Sequence, residues 1–375
     1  MIYRDFQDLK LSALGMGAMR LPVIDGNDGV VDEKAAAEMV DYAMSQGVNY
    51  YDTAWGYHEG NSELVMGRAL KKYPRESFYL ADKFPGYDLA NMPKVKEIFP
   101  KQLEKCQVEY FDFYLFHNVC EMNIDAYLDE KYGIYEYLKE ERDAGRIRHL
   151  GFYAHGSYDV MKRFLEAYGQ EMEFCQIQLN YLDWTFQKAK EKYELLTSLG
   201  IPVWVMEPVR GGRLARLDAA EEEALRALNP DLSPSAWALR FVKDLPNVHM
   251  VLSGMSNMEQ LRENIETFSH PQPLTPAERE ALLSLAERMK NTVPCTACRY
   301  CVDGCPAGLD IPMLLAAYNA FRLSASEAAR VEALPAERQP SACVACGRCV
   351  KACPQGIDVP AHLKAFAAEL ARRSR

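Results

Sequence analysis

From about residue 10 to residue 270 one hydrophobic rhythm repeats along the chain: a short apolar run, then a longer amphipathic segment. The short runs read as strands buried on both faces, and the longer segments as helices lying over them. An opening run near 11–16 is followed by runs at 48–53, 78–84, 111–117, 147–153, 174–180, 203–207 and 248–253, eight strands in all. Helical patterns fill 33–46, 62–72, 94–106, 134–144, 158–168, 186–199, 234–245 and 258–268. Asn257 with Gln260 and Thr275 with Glu278 are spaced as capping boxes, and Pro234 follows Ser233 as a first-turn proline does. Gly47, Gly145, Gly169 and Gly200 stand just past helix ends. Eight such alternations predict a (β/α)8 TIM barrel. An open doubly wound sheet is the alternative. It asks for a glycine-rich turn after an early strand, and Gly15-Met16-Gly17-Ala18 has no matching third position.

Near residue 275 the rhythm changes. One more helix is expected over 275–291, and after it cysteines set the pattern. Cys295, Cys298, Cys301 and Cys305 lead into Pro306; Cys343, Cys346, Cys349 and Cys353 lead into Pro354, each 48 residues on. The register continues past the cysteines, where Pro-Ala-Gly-Leu-Asp-Ile-Pro (306–312) matches Pro-Gln-Gly-Ile-Asp-Val-Pro (354–360), so the segment is an internal duplication. Both copies read C-x2-C-x2-C-x3-C-P, the bacterial run for cubane clusters, in which the fourth cysteine ligates the other cluster. This assigns Cys295, Cys298, Cys301 and Cys353 to one [4Fe–4S] cluster, and Cys343, Cys346, Cys349 and Cys305 to a second. A zinc site would use two separated pairs without the third cysteine and the C-P step. Disulfides need an oxidising compartment, and the first residues carry no basic-then-apolar signal pattern. Cys106, Cys120 and Cys175 are isolated and read as small buried hydrophobes. The 37 residues between Cys305 and Cys343 exceed a compact bacterial ferredoxin, and the segment resembles the helical ferredoxin domains of iron–sulfur respiratory and heterodisulfide-reducing subunits. Helices are expected over 312–323 and 360–373. The expected organisation is a barrel over 1–274, a connecting helix over 275–291 and a mainly helical ferredoxin-like domain over 292–375.

Charge sharpens this division. Residues 290–375 carry 11 Lys and Arg against 7 Asp and Glu, whereas residues 1–289 carry 32 against 46. An acidic main body argues against a nucleic-acid partner. The basic tail offsets the negative charge of thiolate-ligated clusters, or docks an acidic electron carrier. No apolar run approaches the roughly 18–20 residues needed to span a bilayer, and a cytoplasmic location is expected.

Barrels of this type carry their catalytic groups at the C-terminal ends of the strands. Those ends read Asp52, then Tyr57 five residues on, Lys83 and His117. Singly each has a bland reading, as a satisfied polar group or a packed loop aromatic; at successive strand ends they form a proton-transfer set. Asp52-Thr-Ala-Trp-Gly-Tyr57, Ala81-Asp-Lys83 and Asp112-Phe-Tyr-Leu-Phe-His117 resemble the catalytic segments of the aldo/keto reductase superfamily, over about residues 1–270. With the cysteine tail, the arrangement resembles that superfamily's iron–sulfur branch.

The resemblance implies that Tyr57 gives a proton to a carbonyl oxygen. Lys83, held by Asp52, would lower its pKa from the usual value near 10, and His117 would orient the carbonyl. It also implies a nicotinamide cofactor, NAD or NADP. Gln178 and Asn180 would hold the nicotinamide; Gly254, Ser256, Gln260 and Asn264 match the adenosine-phosphate segment. The chain departs from the family at Tyr153-Ala154, where a Ser-Asn pair is usual, and at Met206, where an aromatic stacks on nicotinamide. It departs again at Gly254 and Gln260, where basic residues grip a 2′-phosphate. Arg210, Gly211, Gly212 and Arg213 could compensate as a pyrophosphate nest.

The expectation is an oxidoreductase that reduces a small carbonyl compound, or oxidises the alcohol, accompanied by one-electron transfer through two clusters. Nicotinamide moves two electrons and each cubane one, so a flavin is a further candidate cofactor. A non-catalytic electron carrier using the barrel as a ligand-binding scaffold is the alternative. The loop over 119–133, with Glu121, Asp125, Tyr127, Asp129, Glu130 and Tyr132, either covers the pocket or is a solvated surface loop.

Overall fold

The chain opens on a hairpin that the hydrophobic rhythm does not announce. In the computed structural model, which describes residues 1–217, 219–289, 293–323 and 331–373, β1 (Tyr3–Phe6) pairs antiparallel with β2 (Leu9–Ser12). The expected opening strand near 11–16 is thus two strands broken at Ala13, whose N–H donates to the Ile2 carbonyl. The second piece, β3 (Leu14–Gly17), is the first stave of a closed barrel. It is followed by β4 (Tyr50–Asp52), β5 (Tyr79–Phe84), β6 (Phe111–Val119), β7 (Ile147–Ala154), β8 (Phe174–Gln178), β9 (Val203–Met206) and β10 (Val248–Gly254). All neighbours pair in parallel, and β10 closes on β3. An open doubly wound sheet is thereby excluded.

Alternation along each strand sends every second side chain inward. Tyr50, Ala81, Phe113, Leu115, Phe174, Trp204, Met250 and Leu252 fill the interior. Phe6 of the hairpin packs edge-on against Phe174 and Trp204 and tilted against Phe113, plugging the end at which the strands begin. The end at which they finish is therefore the open one.

The helices fall near their expected places and end sooner. Glu33–Ser45, Ser62–Leu70, Val95–Cys106, Ile134–Asp143, Tyr158–Tyr168, Pro234–Lys243 and Met258–Thr267 are each framed by local chemistry. Ser157, Ser233 and Asn257 side chains accept the N–H of the third residue on. Thr275 and Glu278 exchange both bonds of a capping box. Gly47, Gly145 and Gly200 are left-handed, as helix-ending glycines are, but Gly169 has φ −58° and opens a 3-10 turn instead. The helix expected over 186–199 is two, Asp183–Phe186 and Ala189–Ser198, separated where Lys188 turns left-handed. A short helix, Ala219–Arg226, was not anticipated. The expected 275–291 helix is Pro276–Met289, and its last positions lie outside the described residues.

The chain divides into two compact units, Met1–Glu287 and Arg288–Arg375. The second is built on Ile311–Leu323 and Val359–Arg373, which share one apolar core with Leu309 and Ile357, equivalent positions of the duplication. Among the described residues no helix is long and apolar enough to cross a membrane.

Candidate functional site

The innermost polar groups follow from the same alternation. On β4, β5 and β6 the inward positions beyond Tyr50, Ala81 and Leu115 are Asp52, Lys83 and His117. Parallel pairing sets Asp52 beside Ala81 and Lys83 beside Leu115, so the three rise in a staircase around one side of the mouth. Lys83 Nζ donates to Asp52 Oδ1 at 2.6 Å and to the Thr53 carbonyl at 2.7 Å, with both side chains buried. Its ammonium lies 5.0 Å from the centre of the Tyr57 ring. That ring meets His117 edge-on at 6.1 Å, and Tyr87 meets His117 edge-on at 5.0 Å. The turn carrying Tyr57 is tight: His58 and Glu59 are both left-handed, and a Cβ on Gly56 would collide with the Tyr87 hydroxyl.

A bulge between Phe116 and Val119, with Asn118 left-handed, interrupts β6 at His117, whose carbonyl accepts the Tyr127 hydroxyl at 2.7 Å. Tyr127 comes from the loop over 119–133, part of which is a short buried helix, Ile124–Tyr127, rather than a solvated loop. His117 is fully buried. Burial, then the charge of Lys83, then His155, hold its pKa well below 6.5, so it is a neutral imidazole at pH 7.

The Tyr57 hydroxyl behaves differently from expectation. Burial pushes its pKa well above 10, Asp52, Tyr87 and Asp82 push it further, and the cation that opposes them is Arg20. Lys83 faces the ring and is paired with Asp52. Arg20 follows the end of β3 and lies across Gly254, where a Cβ would stand 2.8 Å from Arg20 Cγ. Glycine at 254 leaves room for it.

The opposite side of the mouth is a second buried network. Gln178 and Asn180 each donate to Asp183 Oδ2 at 2.7 Å, and Arg210 Nε stands 3.0 Å from both Asp183 oxygens. Arg213 pairs with Glu221. Gly211 and Gly212 form the turn between, both left-handed, but the two guanidinium groups expected to face a pyrophosphate are committed to carboxylates. Met206 is buried among the interior side chains. Tyr153 stacks at a tilt on His117, 5.2 Å between ring centres. After β10, Ser256 N–H donates to Gln260, Gln260 N–H to Asn257, and Asn264 to Ser253. Arg262 lies over the Tyr42 ring, away from that loop's bonds.

Sequence reading missed Arg20, Tyr87 and Glu207. Glu207 follows β9 with φ +56°, and its Oε2 is buried with no hydrogen-bond partner among the described residues. Burial lifts its pKa to about 7 against Arg20 and Arg210. A charged residue directly after a barrel strand was the available signal.

In the second unit, Cys295, Cys298, Cys301 and Cys353 line one cavity, and Cys305, Cys343, Cys346 and Cys349 another. Each cavity is ringed by four thiols, as two copies of one polynuclear group would require. Among the described residues no three metal-ligating side chains gather as tightly as a single ion needs; the thiols ring their cavities instead. Neighbouring thiols also reinforce burial in lifting the Cys301 pKa, with Cys298, Cys295 and Cys353 all contributing.

Comparison with known proteins places these features. Residues 13–287 match the aldo/keto reductase family, and residues 294–357 match the 4Fe-4S dicluster domain. An uncharacterized oxidoreductase of Bacillus subtilis is 28% identical over 308 residues, 74% of this chain and 93% of that protein. The NADH-specific methylglyoxal reductase of Escherichia coli is 24% identical over 327 residues, 76% of this chain and 97% of that protein. The holo form of an aldo-keto reductase from Bacillus halodurans superposes with a TM-score of 0.61 at 27% identity, covering 76% of this chain and 96% of that one. The chain is an oxidoreductase that belongs to the aldo/keto reductase family and adds to its barrel a C-terminal 4Fe-4S dicluster domain.

Proposed function

We propose that the protein reduces a small carbonyl compound, or oxidises the corresponding alcohol, with Tyr57 as general acid, and that it exchanges single electrons through two [4Fe–4S] clusters. The buried Lys83–Asp52 pair set against the Tyr57 ring, with neutral His117 facing it, is the observation that carries this reading. Tyr57 stays protonated through the physiological range and gives its proton to the carbonyl oxygen. His117, kept neutral, donates or accepts one hydrogen bond there without adding charge. Asp52 and Lys83 hold the floor beneath the ring, and Arg20 supplies the positive field at the hydroxyl. When bound, a nicotinamide supplies a hydride and a cubane cluster a single electron.

At the nicotinamide end Asp183 holds the Gln178 amide in one orientation beside the mouth, as a nicotinamide partner would need, whereas Asn180 gives its N–H groups to Asp183 and the Glu207 carbonyl. The phosphate end is poorer, since Arg210 and Arg213 face carboxylates and Gln260 closes over the Ser256 N–H. Discrimination between NADH and NADPH is therefore expected to be weak or to favour NADH. Charge-assisted bonds of the kind missing at Gly254 and Gln260 contribute about 1.5–3 kcal/mol each. Isothermal titration of the cluster-replete protein should give the two dissociation constants within about tenfold, or NADH the tighter; a value for NADPH a hundredfold below that for NADH would refute this. Failure of either to bind, with flavin bands in the absorbance of anaerobically purified protein, would favour the flavin.

The proposed ligands are Cys295, Cys298, Cys301 and Cys353 for one cluster and Cys343, Cys346, Cys349 and Cys305 for the other. The proposal includes the division into a barrel over 1–274, a connecting helix over 275–291 and a cluster domain over 292–375, in a cytoplasmic protein whose basic tail offsets the charge of its clusters or docks an acidic electron carrier. Wild-type protein should hold about eight iron and eight sulfide per chain. Cys353→Ala should lower the content and remove one set of reduced-state paramagnetic signals, sparing the cluster of the second motif. Equal damage to both clusters, or four irons in the wild type, would contradict the crossed assignment.

A further inference from the structure

The duplication extends to the backbone. Ala297 and Ala345 are both left-handed, at φ 55° and 52°, and so are Arg299 and Gly347, at 67° and 73°. Against that sameness five positions of the run differ, and two of them line the first cavity. Thr296 stands where the second motif has Val344, and Arg299 where it has Gly347.

Each difference is costly to keep. Thr296 is 1% exposed and lines the cavity ringed by Cys295, Cys298, Cys301 and Cys353, and its Oγ1 finds no hydrogen-bond partner among the described residues. A buried hydroxyl is seldom left that way unless something else accepts its proton. Val344, its counterpart, is 65% exposed and has no such group. Arg299 adopts a conformation that favours glycine, which the second motif has at this position. Its side chain lines the same cavity, with a guanidinium nitrogen 3.5 Å from Asp310.

We propose that Thr296 and Arg299 tune the first cluster, the hydroxyl donating a hydrogen bond to one of its sulfurs and the guanidinium adding positive charge beside it. The proposal rests on the cluster reading above. Reduction adds one negative charge to a group that is already an anion, so a donor aimed at sulfur and a nearby cation both favour the reduced form. The second cluster has neither from these positions. Asp310 offsets part of the Arg299 charge, so the larger effect belongs to Thr296. Both residues act by positioning charge and take no part in ligation. Two clusters alike in ligands are thereby made unlike in electron affinity, which gives electrons an order in which to occupy them.

The test uses full-length protein, purified anaerobically and cluster-replete, titrated with dithionite while paramagnetic resonance follows each cluster. Thr296→Val, which installs the residue of the second motif, is expected to lower one of the two midpoint potentials and leave the other unmoved. Thr296→Ser keeps the hydroxyl and should restore the original value. Arg299→Gly should lower the same potential by less, and Val344→Thr, whose hydroxyl would be solvated, should move neither. The proposal is overturned if Thr296→Val leaves both potentials in place, or if Thr296→Ser shifts the potential as far as valine does, which would mark a packing role. Should Thr296→Val lose iron, Arg299→Gly decides: an unchanged potential there, with iron retained, also overturns it. Wild-type protein without iron and sulfide would sink the cluster reading itself, an outcome that iron analysis separates from the others.

Discussion

Tyr57→Phe is expected to lower kcat/KM by about 10²–10⁴-fold for any carbonyl that the protein reduces. The substitution keeps the ring, and with it the edge-on contact to His117 and the face presented to Lys83. It removes the hydroxyl that serves as proton donor in the proposed step. Since burial holds the Tyr57 hydroxyl well above 10, no pH in the ordinary range ionises it, and loss of the proton donor should depress the rate at every pH from 6 to 9 rather than shift a profile. Steady-state rates with a panel of small aldehydes and ketones check this, with thermal unfolding to show that the fold persists. Turnover equal to wild type would sink the general-acid reading and leave the ligand-binding scaffold as the better account of the barrel. Companion changes bear on the same hydroxyl. Arg20→Met removes a charge that favours the Tyr57 anion, and Lys83→Met leaves Asp52 unmatched beside it, so both should raise the Tyr57 pKa further.

The barrel was legible because two periodicities met without conflict. Doubly buried strands need continuous apolar runs, and Phe111–Val119 is buried at every position. The place of Asp52, Lys83 and His117 was legible for the same reason: once Tyr50, Ala81 and Leu115 face inward, the residue two further on must do so as well. What stayed hidden depends on contacts made across the closed sheet. Nothing near Arg20 in sequence says that it will lie on Gly254, because their neighbourhood exists only once β10 has paired with β3. The hairpin at 3–12 was missed because Leu11 and Leu14 read as one run, although only a break at Ala13 lets the first half turn back under the barrel. The Arg210-Gly-Gly-Arg213 segment looked free to bind phosphate because its partners, Asp183 and Glu221, are on other turns of the chain. Local sequence tells which side chains can carry charge; the fold decides which of those charges are already matched.

Asp183 is where that lesson has its largest energetic consequence. Its carboxylate is wholly buried and takes Gln178, Asn180 and Arg210 at once, so it organises three residues that the sequence reading had set out toward a cofactor. Asp183→Ala should therefore destabilise the barrel by roughly 3–5 kcal/mol, because the buried Arg210 guanidinium would lose its carboxylate while staying in a site of low polarity. For a unit of this size each kcal/mol moves Tm by about 2–4 °C, and the loss should be plain in a calorimetric scan. Glu207, lifted to about 7 in the intact protein by burial with Asp183 contributing, loses that repulsion in the variant, so its pKa falls and its carboxylate can replace part of the missing charge. The loss should therefore be smaller at pH 8, where Glu207 is ionised, than at an acidic pH where it keeps its proton. An Asp183→Ala, Arg210→Met double variant removes both charges and should recover much of the stability, since replacing a buried pair by apolar groups is often nearly neutral. A double variant no more stable than Asp183→Ala alone would show that the uncompensated Arg210 charge was not the cause.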